Sequence, residues 1–288
     1  MTIDTEGFSH RFVAGAGVKL HCAECGPENG KLVVMLHGFP EFWWSWRHQM
    51  SALAALGYRV VAPDMRGYNL SERPTDVASY RLEVLADDVA AIIRAYGREQ
   101  AIVVGHDWGA IVAWEFAMHH QTMLERLAIL NVPHPVQALA GLRTLRQVKK
   151  SWYMFAFQLP WLPEGLIALD NFAIVRRSFG RSVTGDDLEP YLEAARKGGN
   201  LVGGINYYRA LIRGLVTKSL RQPRRIDKPV LVIWGDRDRF IGTELAEPPS
   251  DLVPNCTMHH IPDASHWVQE DAASEVSEQL ARFAGGQP

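Results

Sequence analysis

Short apolar runs rich in β-branched residues recur along the chain, and each stops at a turn built from Gly, Pro, Asp or Asn. They occupy residues 31–36, 58–62, 101–104, 124–130, 229–234 and 257–261. Helix-length stretches lie between them at 81–96, 110–120 and 267–283. Near-continuous apolar strands alternating with helices predict a mostly parallel sheet covered on both faces. Two further alternating segments, 10–13 and 18–24, are joined through Gly15-Ala16-Gly17 and predict an antiparallel hairpin at one edge. The expectation is an α/β fold with eight strands.

The alternation stops between 134 and 222, a stretch rich in Trp, Tyr, Phe and Leu and broken by Pro160, Pro163 and Gly-Gly pairs. It carries 13 Lys and Arg against 6 Asp and Glu, while the remainder carries 17 against 26. The division expected is a core of 1–133 and 223–288, with 134–222 inserted after the sixth strand as a helical cap. Most of that charge should lie on solvated helix faces, with charge complementarity to the core a smaller contribution. At 288 residues and 47% hydrophobic content, the chain can bury a core of this size. A formal charge of −2 gives no sign of a nucleic acid or an anionic membrane as partner. No apolar h-region occupies residues 1–12, and no run approaches the ~18 apolar residues of a membrane span. A cytoplasmic protein is therefore expected. Cys22 and Cys25 form a C-x-x-C within a strand pattern, where residues three apart face opposite sides, so inert thiols are expected. No histidine pair has metal-ligand spacing, and neither a metal nor a cofactor is expected.

The unusual residues collect after the strands, where open α/β sheets bind ligands. Gly105-His106-Asp107-Trp108-Gly109 has the G-x-nucleophile-x-G form of a sharp strand-to-helix turn. Its middle residue is Asp rather than Ser. A serine attacking a saturated carbon would form an inert ether. A carboxylate forms an alkyl ester whose carbonyl belongs to the protein and can be opened by water. An Asp at this turn therefore points to substitution at an sp3 carbon. His266 follows the last strand and is the candidate base that activates water. Asp238 is the candidate orienting acid, with Asp236 as the alternative in the same Gly235-Asp236-Arg237-Asp238 turn. The order Asp107, Asp238, His266 is that of the α/β-hydrolase fold. That fold would supply oxyanion donors from the backbone N–H groups of Trp108 and Phe39. His106 is expected to be structural, because neighbouring side chains at a tight turn diverge.

HGFPEFWWSWR, PDMRGYNLS, GHDWGA, LNVPHP, WGDRD and ASHW occur in that order over nearly the whole chain. Together they resemble the epoxide hydrolases of the α/β-hydrolase superfamily. The resemblance implies an epoxide converted to a vicinal diol through an Asp107 ester. It also implies two cap tyrosines that bind and protonate the epoxide oxygen, matching Tyr153 and Tyr208, the latter adjoining Tyr207. The expected substrate is a small hydrophobic epoxide, with His37, Pro40, Trp108 and Phe155 touching it. Trp43, Trp44, Phe155, Phe157 and Trp161 could line an apolar pocket or belong to the core.

Haloalkane dehalogenases are also similar. They commonly carry Asn where this chain has Phe39, and a departing halide has no use for cap tyrosines. Fluoroacetate dehalogenases carry arginines after the elbow Asp, whereas this chain has Trp108, Ile111 and Val112. A more distant alternative is a ligand-binding protein that has lost catalysis, although every expected catalytic residue type is present. The sequence leaves the oligomeric state open, a homodimer included.

Overall fold

The computed structural model describes residues 7–199 and 201–286. Residues 1–6, part of the opening segment read above for a signal, lie outside the described residues. Eight strands form one sheet: β1 (Ser9–Ala14), β2 (Lys19–Cys25), β3 (Leu32–Leu36), β4 (Arg59–Pro63), β5 (Ala101–His106), β6 (Leu124–Leu130), β7 (Val230–Gly235) and β8 (Cys256–Ile261). Their spatial order is β1-β2-β4-β3-β5-β6-β7-β8. β1 pairs antiparallel with β2, and β2 antiparallel with β4, which makes the anticipated edge hairpin. All other neighbours are parallel. Every residue of β3, β5 and β7 is buried. Unbroken apolar runs of this kind suit central strands covered on both sides.

Two helix pairs cover the sheet. α1 (Arg47–Ala55) packs on α11 (Ala273–Ala284), and α2 (Leu82–Ala95) packs on α3 (Trp108–His119). The sequence pattern did not reveal α1, which has no capping side chain at its start and no acidic residue in its first turn. The segment 267–283 is also broken, into α10 (Val268–Asp271) and α11, at Ala272 with φ −130° and ψ 45°. Gln49 Nε2 spans this break, donating to the Gln269 and Ala273 carbonyls at 3.0 and 3.3 Å.

Between β6 and β7 the regular elements of the described residues are all helices: α4 (Pro135–Gly141), α5 (Leu145–Lys150), α6 (Trp152–Ala156), α7 (Leu162–Phe179), α8 (Glu189–Lys197) and α9 (Val202–Thr217). α7 carries a kink, with non-helical dihedrals from Leu169 to Phe172. Three of the thirteen cations of this insert are answered within it by Arg209–Glu164, Arg196–Glu189 and Lys197–Glu193 pairs. Contacts that tie it to the sheet are mostly buried and specific. The Tyr207 hydroxyl donates to the Arg66 carbonyl at 2.9 Å, and the Tyr191 hydroxyl to Glu270 at 2.6 Å. Glu270 in turn pairs with Arg47 at 2.6 Å.

The loop after β4 is locked by one buried ion pair. Arg66 binds Asp88 through two bonds of 2.8 Å, with side chains only 3% and 8% exposed. Asp88 also accepts the Ala16 N–H at 2.7 Å, and Arg66 donates to the Ala16 carbonyl at 2.8 Å. The pair thereby joins the β1–β2 turn, α2 and the loop that carries Tyr207's acceptor. Removing one member strands the other charge out of water. Asp88→Ala is expected to lower unfolding stability by about 3–5 kcal/mol in a urea titration, far more than an exposed acid would.

Candidate active site

β5 passes into α3 through a single residue, Asp107, whose φ of 48° and ψ of −121° lie outside the regions ordinary side chains prefer. Such strain amounts to about 1–3 kcal/mol and persists only where surroundings enforce it. Two glycines make the turn possible. A Cβ on Gly105 would come within 2.7 Å of the Ala110 Cα, and one on Gly109 would collide with the Leu36 carbonyl. The outcome is a carboxylate held above the sheet at the N-terminus of α3, where the helix dipole favours negative charge.

Around this carboxylate the structure assembles residues far apart in the chain. The Phe39 N–H donates to Asp107 Oδ1 at 2.7 Å. His266 Nε2 faces Asp107 Oδ2 at 3.4 Å. On its other side His266 Nδ1 meets Asp238 Oδ2 at 2.7 Å. Asp238 is buried, and its Oδ1 accepts the N–H groups of Phe240 and Ile241 at 2.7 and 2.9 Å. The rival acid, Asp236, instead meets His260 Nδ1 near the surface at 2.7 Å. The Trp108 N–H opens α3 beside the carboxylate. Among the described residues, Phe39 is the backbone donor that bonds to it.

The charges follow from this geometry. Burial alone would raise Asp107, but the bond to His266, the charges of His266 and His106, and the Phe39 N–H hold its pKa below the usual carboxylate value. Asp238 is lowered in the same way: burial opposes, and the charge and hydrogen bond of His266 prevail. For His266 burial favours the neutral ring, yet Asp238 and Asp107 together raise it to about 10. At neutral pH the resting centre is an imidazolium between two carboxylates.

Tyr153, on α6, and Tyr208, on α9, both line the cavity in which Asp107 sits. Their rings are 5.8 Å apart, and the Tyr208 ring stands edge-on to Trp108 at 4.8 Å. Burial raises both phenol pKa values, and the Asp107 charge adds to the rise, so both remain proton donors. Tyr207 points away, its hydroxyl committed to Arg66.

Of the four positions expected to touch substrate, only Trp108 lines the cavity. His37 is fully buried, its Nδ1 at 3.0 Å from the Gly38 carbonyl and its Nε2 accepting the Met65 N–H at 2.9 Å. Both ring nitrogens serve the backbone of the loop. Pro40 is buried and follows a cis peptide bond, outside the cavity lining. Phe155 lies on the outer side of α6 and is 52% exposed. Trp43 belongs to the core, Trp161 is 84% exposed, and Phe157 packs on Phe39 and Tyr208. His106 is structural as anticipated, spanning Glu41 Oε2 and the His266 carbonyl at 2.8 Å each. Cys22 and Cys25 are buried free thiols. Among the described residues, no group of His, Cys, Asp and Glu is arranged to hold a metal ion, and no helix is long and apolar enough to cross a membrane.

One positioning residue escaped the sequence. Asn131, with φ of 51° just after β6, donates to Asp238 Oδ2 at 2.9 Å and accepts the Gly235 N–H at 2.8 Å. It ties the acid's loop to the neighbouring strand end. Its only signal was an Asn in the turn Asn131-Val132-Pro133, which by itself reads as the end of a strand.

Comparison with known proteins places the fold in a family. A family model described as alpha/beta hydrolase fold matches residues 31–273. The AB hydrolase superfamily protein YfhM of Bacillus subtilis (strain 168) is 37% identical over 285 residues, covering 96% of this chain and 98% of that protein. Epoxide hydrolase 3 of Mus musculus is 35% identical over 281 residues, covering 94% of this chain and 75% of the mouse protein. The crystal structure of the Bacillus megaterium epoxide hydrolase in complex with an inhibitor superposes with a TM-score of 0.87 at 32% identity, covering 96% of this chain and 100% of that one. The chain belongs to the alpha/beta hydrolase fold family and, within it, to the epoxide hydrolases.

Proposed function

We propose that the protein opens an epoxide by attack of the Asp107 carboxylate and then hydrolyses the resulting ester with water activated by His266. The observation that carries this reading is the pair of phenols, Tyr153 and Tyr208, lining the same cavity as Asp107. An opening epoxide generates an alkoxide on the substrate itself, which needs a proton; a departing halide does not. The helical insert that brings Tyr153 and Tyr208 over the sheet serves in this reading as the cap.

An oxygen of Asp107 bonds to one epoxide carbon while that carbon's bond to the ring oxygen breaks. The freed oxygen takes a proton from Tyr153 or Tyr208. Esterification discharges Asp107, so His266 loses one of the two carboxylates that held its proton. The ring gives that proton up, and the proton returns the phenolate to a phenol. Neutral His266, its tautomer held by Asp238, then takes a proton from water as the oxygen attacks the Asp107 carbonyl. Negative charge develops on the Asp107 oxygen, where the Phe39 N–H already donates at 2.7 Å and the Trp108 N–H stands adjacent. Collapse expels the diol oxygen, which takes the proton of the new carboxyl group. Asp107 is again a carboxylate, and His266 is again charged.

Incubation of a His266→Gln variant with styrene oxide should leave a stable adduct on the peptide containing Asp107, detected by mass spectrometry. Bromide release from bromobutane without diol from styrene oxide would instead favour a dehalogenase. Replacing both Tyr153 and Tyr208 with Phe should slow adduct formation by about 100- to 10,000-fold, read by stopped-flow tryptophan quenching. The electrostatics give a further expectation with a definite sign. The Asp107 charge raises the His266 pKa, so Asp107→Ala should lower it from about 10, seen as a move of the imidazole titration midpoint to lower pH in NMR.

A further inference from the structure

The cavity of about 410 Å³ extends well beyond Asp107. Trp108, Ile111, Glu115 and Met118 line it, spaced at one helical face along the length of α3. The facing wall includes Leu211, Gly214, Leu215 and Lys218, which continue from Tyr208 along one face of α9 and just past its end. The space is therefore a tunnel running beside two helices, with Asp107 and the phenols at one end. Most of its lining is apolar, and Glu115 is one of a few polar residues in the wall, with Glu83, Gln147, Ser151, Lys218 and Arg221.

Glu115 is the sole acidic residue of α3, and it is 4% exposed. Its Oε1 has no hydrogen-bond partner in the structure. The nearest basic nitrogens are Arg221 Nη1 at 3.6 Å and His119 Nε2 at 3.7 Å, both beyond hydrogen-bonding distance. Arg221 is 40% exposed and Lys218 lies at the surface, so both cations are solvated at the tunnel mouth. Oε1 is thus enclosed and held only by these two long ion pairs, so the carboxyl group that lines the cavity keeps hydrogen-bonding capacity for a ligand atom.

Resting on the epoxide-opening reading above, we propose that Glu115 is a second recognition point, binding a hydrogen-bond donor at the far end of an elongated epoxide. Glu115 stands eight residue steps beyond Asp107, which sets their Cα atoms about 12 Å apart along the helix axis. The substrate class is thus an extended apolar chain with the epoxide at one end and a hydroxyl or protonated amine at the other. Burial pushes the Glu115 carboxyl up to about 7, against Arg221 and Arg224 and with Glu83 adding to the rise. Near neutral pH it can accept a bond as a carboxylate or exchange one with a hydroxyl as an acid. His119, whose own pKa burial lowers, adds little positive charge there.

The test uses one series of straight-chain terminal epoxides, long enough to span the two carboxyls and ending in methyl, hydroxyl, amine or carboxylate. Diol formation from styrene oxide, too short to reach Glu115, is followed in parallel. The hydroxyl- and amine-ended members should exceed the methyl-ended one in kcat/KM by about tenfold or more, the size of one hydrogen bond to a charged group, mainly through KM. Glu115→Leu should bring those ratios close to one. Glu115→Gln should retain the hydroxyl preference, because its amide oxygen still accepts, and lose that for the amine. Equal turnover of all ends by the unaltered protein, the highest kcat/KM for the carboxylate, or ratios unmoved in Glu115→Leu would overturn the assignment. Absence of diol from styrene oxide and from the whole series would instead overturn the epoxide-opening reading itself.

Discussion

A carboxylate buried against a protein interior is stable only if positive charge or donors meet it, and the arrangement of this molecule's catalytic end answers that requirement at Asp107. The strained turn between β5 and α3 lifts the side chain off the sheet, and Gly105 and Gly109 let backbone approach from both sides. Once there, the carboxylate needs partners. The Phe39 N–H, the start of α3 and His266 supply them. None of these could act without the loops that end β3 and β8, so the parallel sheet serves as the frame that brings several strand ends to one place.

The second carboxylate changes what that partnership can do. Asp238 holds His266 through Nδ1 and is itself held by two backbone N–H groups and Asn131. With both acids charged, the imidazole keeps its proton; with only Asp238 charged, it can release it. In the mechanism we propose, the same residues stabilise the nucleophile before attack and free a base afterwards. A shift in charge on one side chain is enough to switch roles, because burial makes each nearby charge count more than it would in water.

The helical insert contributes differently. Its contacts with the core pass through a few buried hydroxyls and ion pairs, such as Tyr207 on Arg66 and Tyr191 on Glu270, rather than through strand pairing. These contacts fix α9 and α8 at one distance from the sheet and leave an apolar tunnel between α9 and α3. Two phenols close one end of that tunnel beside Asp107, and solvated cations stand at the other.

Much of this was legible along the chain. The rhythm of apolar runs and Gly- or Pro-rich turns located six strands and alternation located the two of the edge hairpin; the central strands read as unbroken apolar runs because both their faces are covered. The elbow was recognisable because a one-residue turn demands small neighbours, and an Asp at its tip has few structural uses. Other features depended on packing between residues far apart. The sequence alone left Asp236 and Asp238 both in contention for His266; the structure sends the first to His260 and the second to His266. It could not show that His37 is consumed by the Gly38 and Met65 backbone, that Phe155 faces outward, or that Asn131 carries Asp238. Nor could it show that Glu115 opens onto the same tunnel as Asp107. Periodicity and turn chemistry are properties of neighbouring residues and are written in their order. Which side chains meet across the interior depends on how the strand ends and inserted helices pack, and that only the folded chain decides.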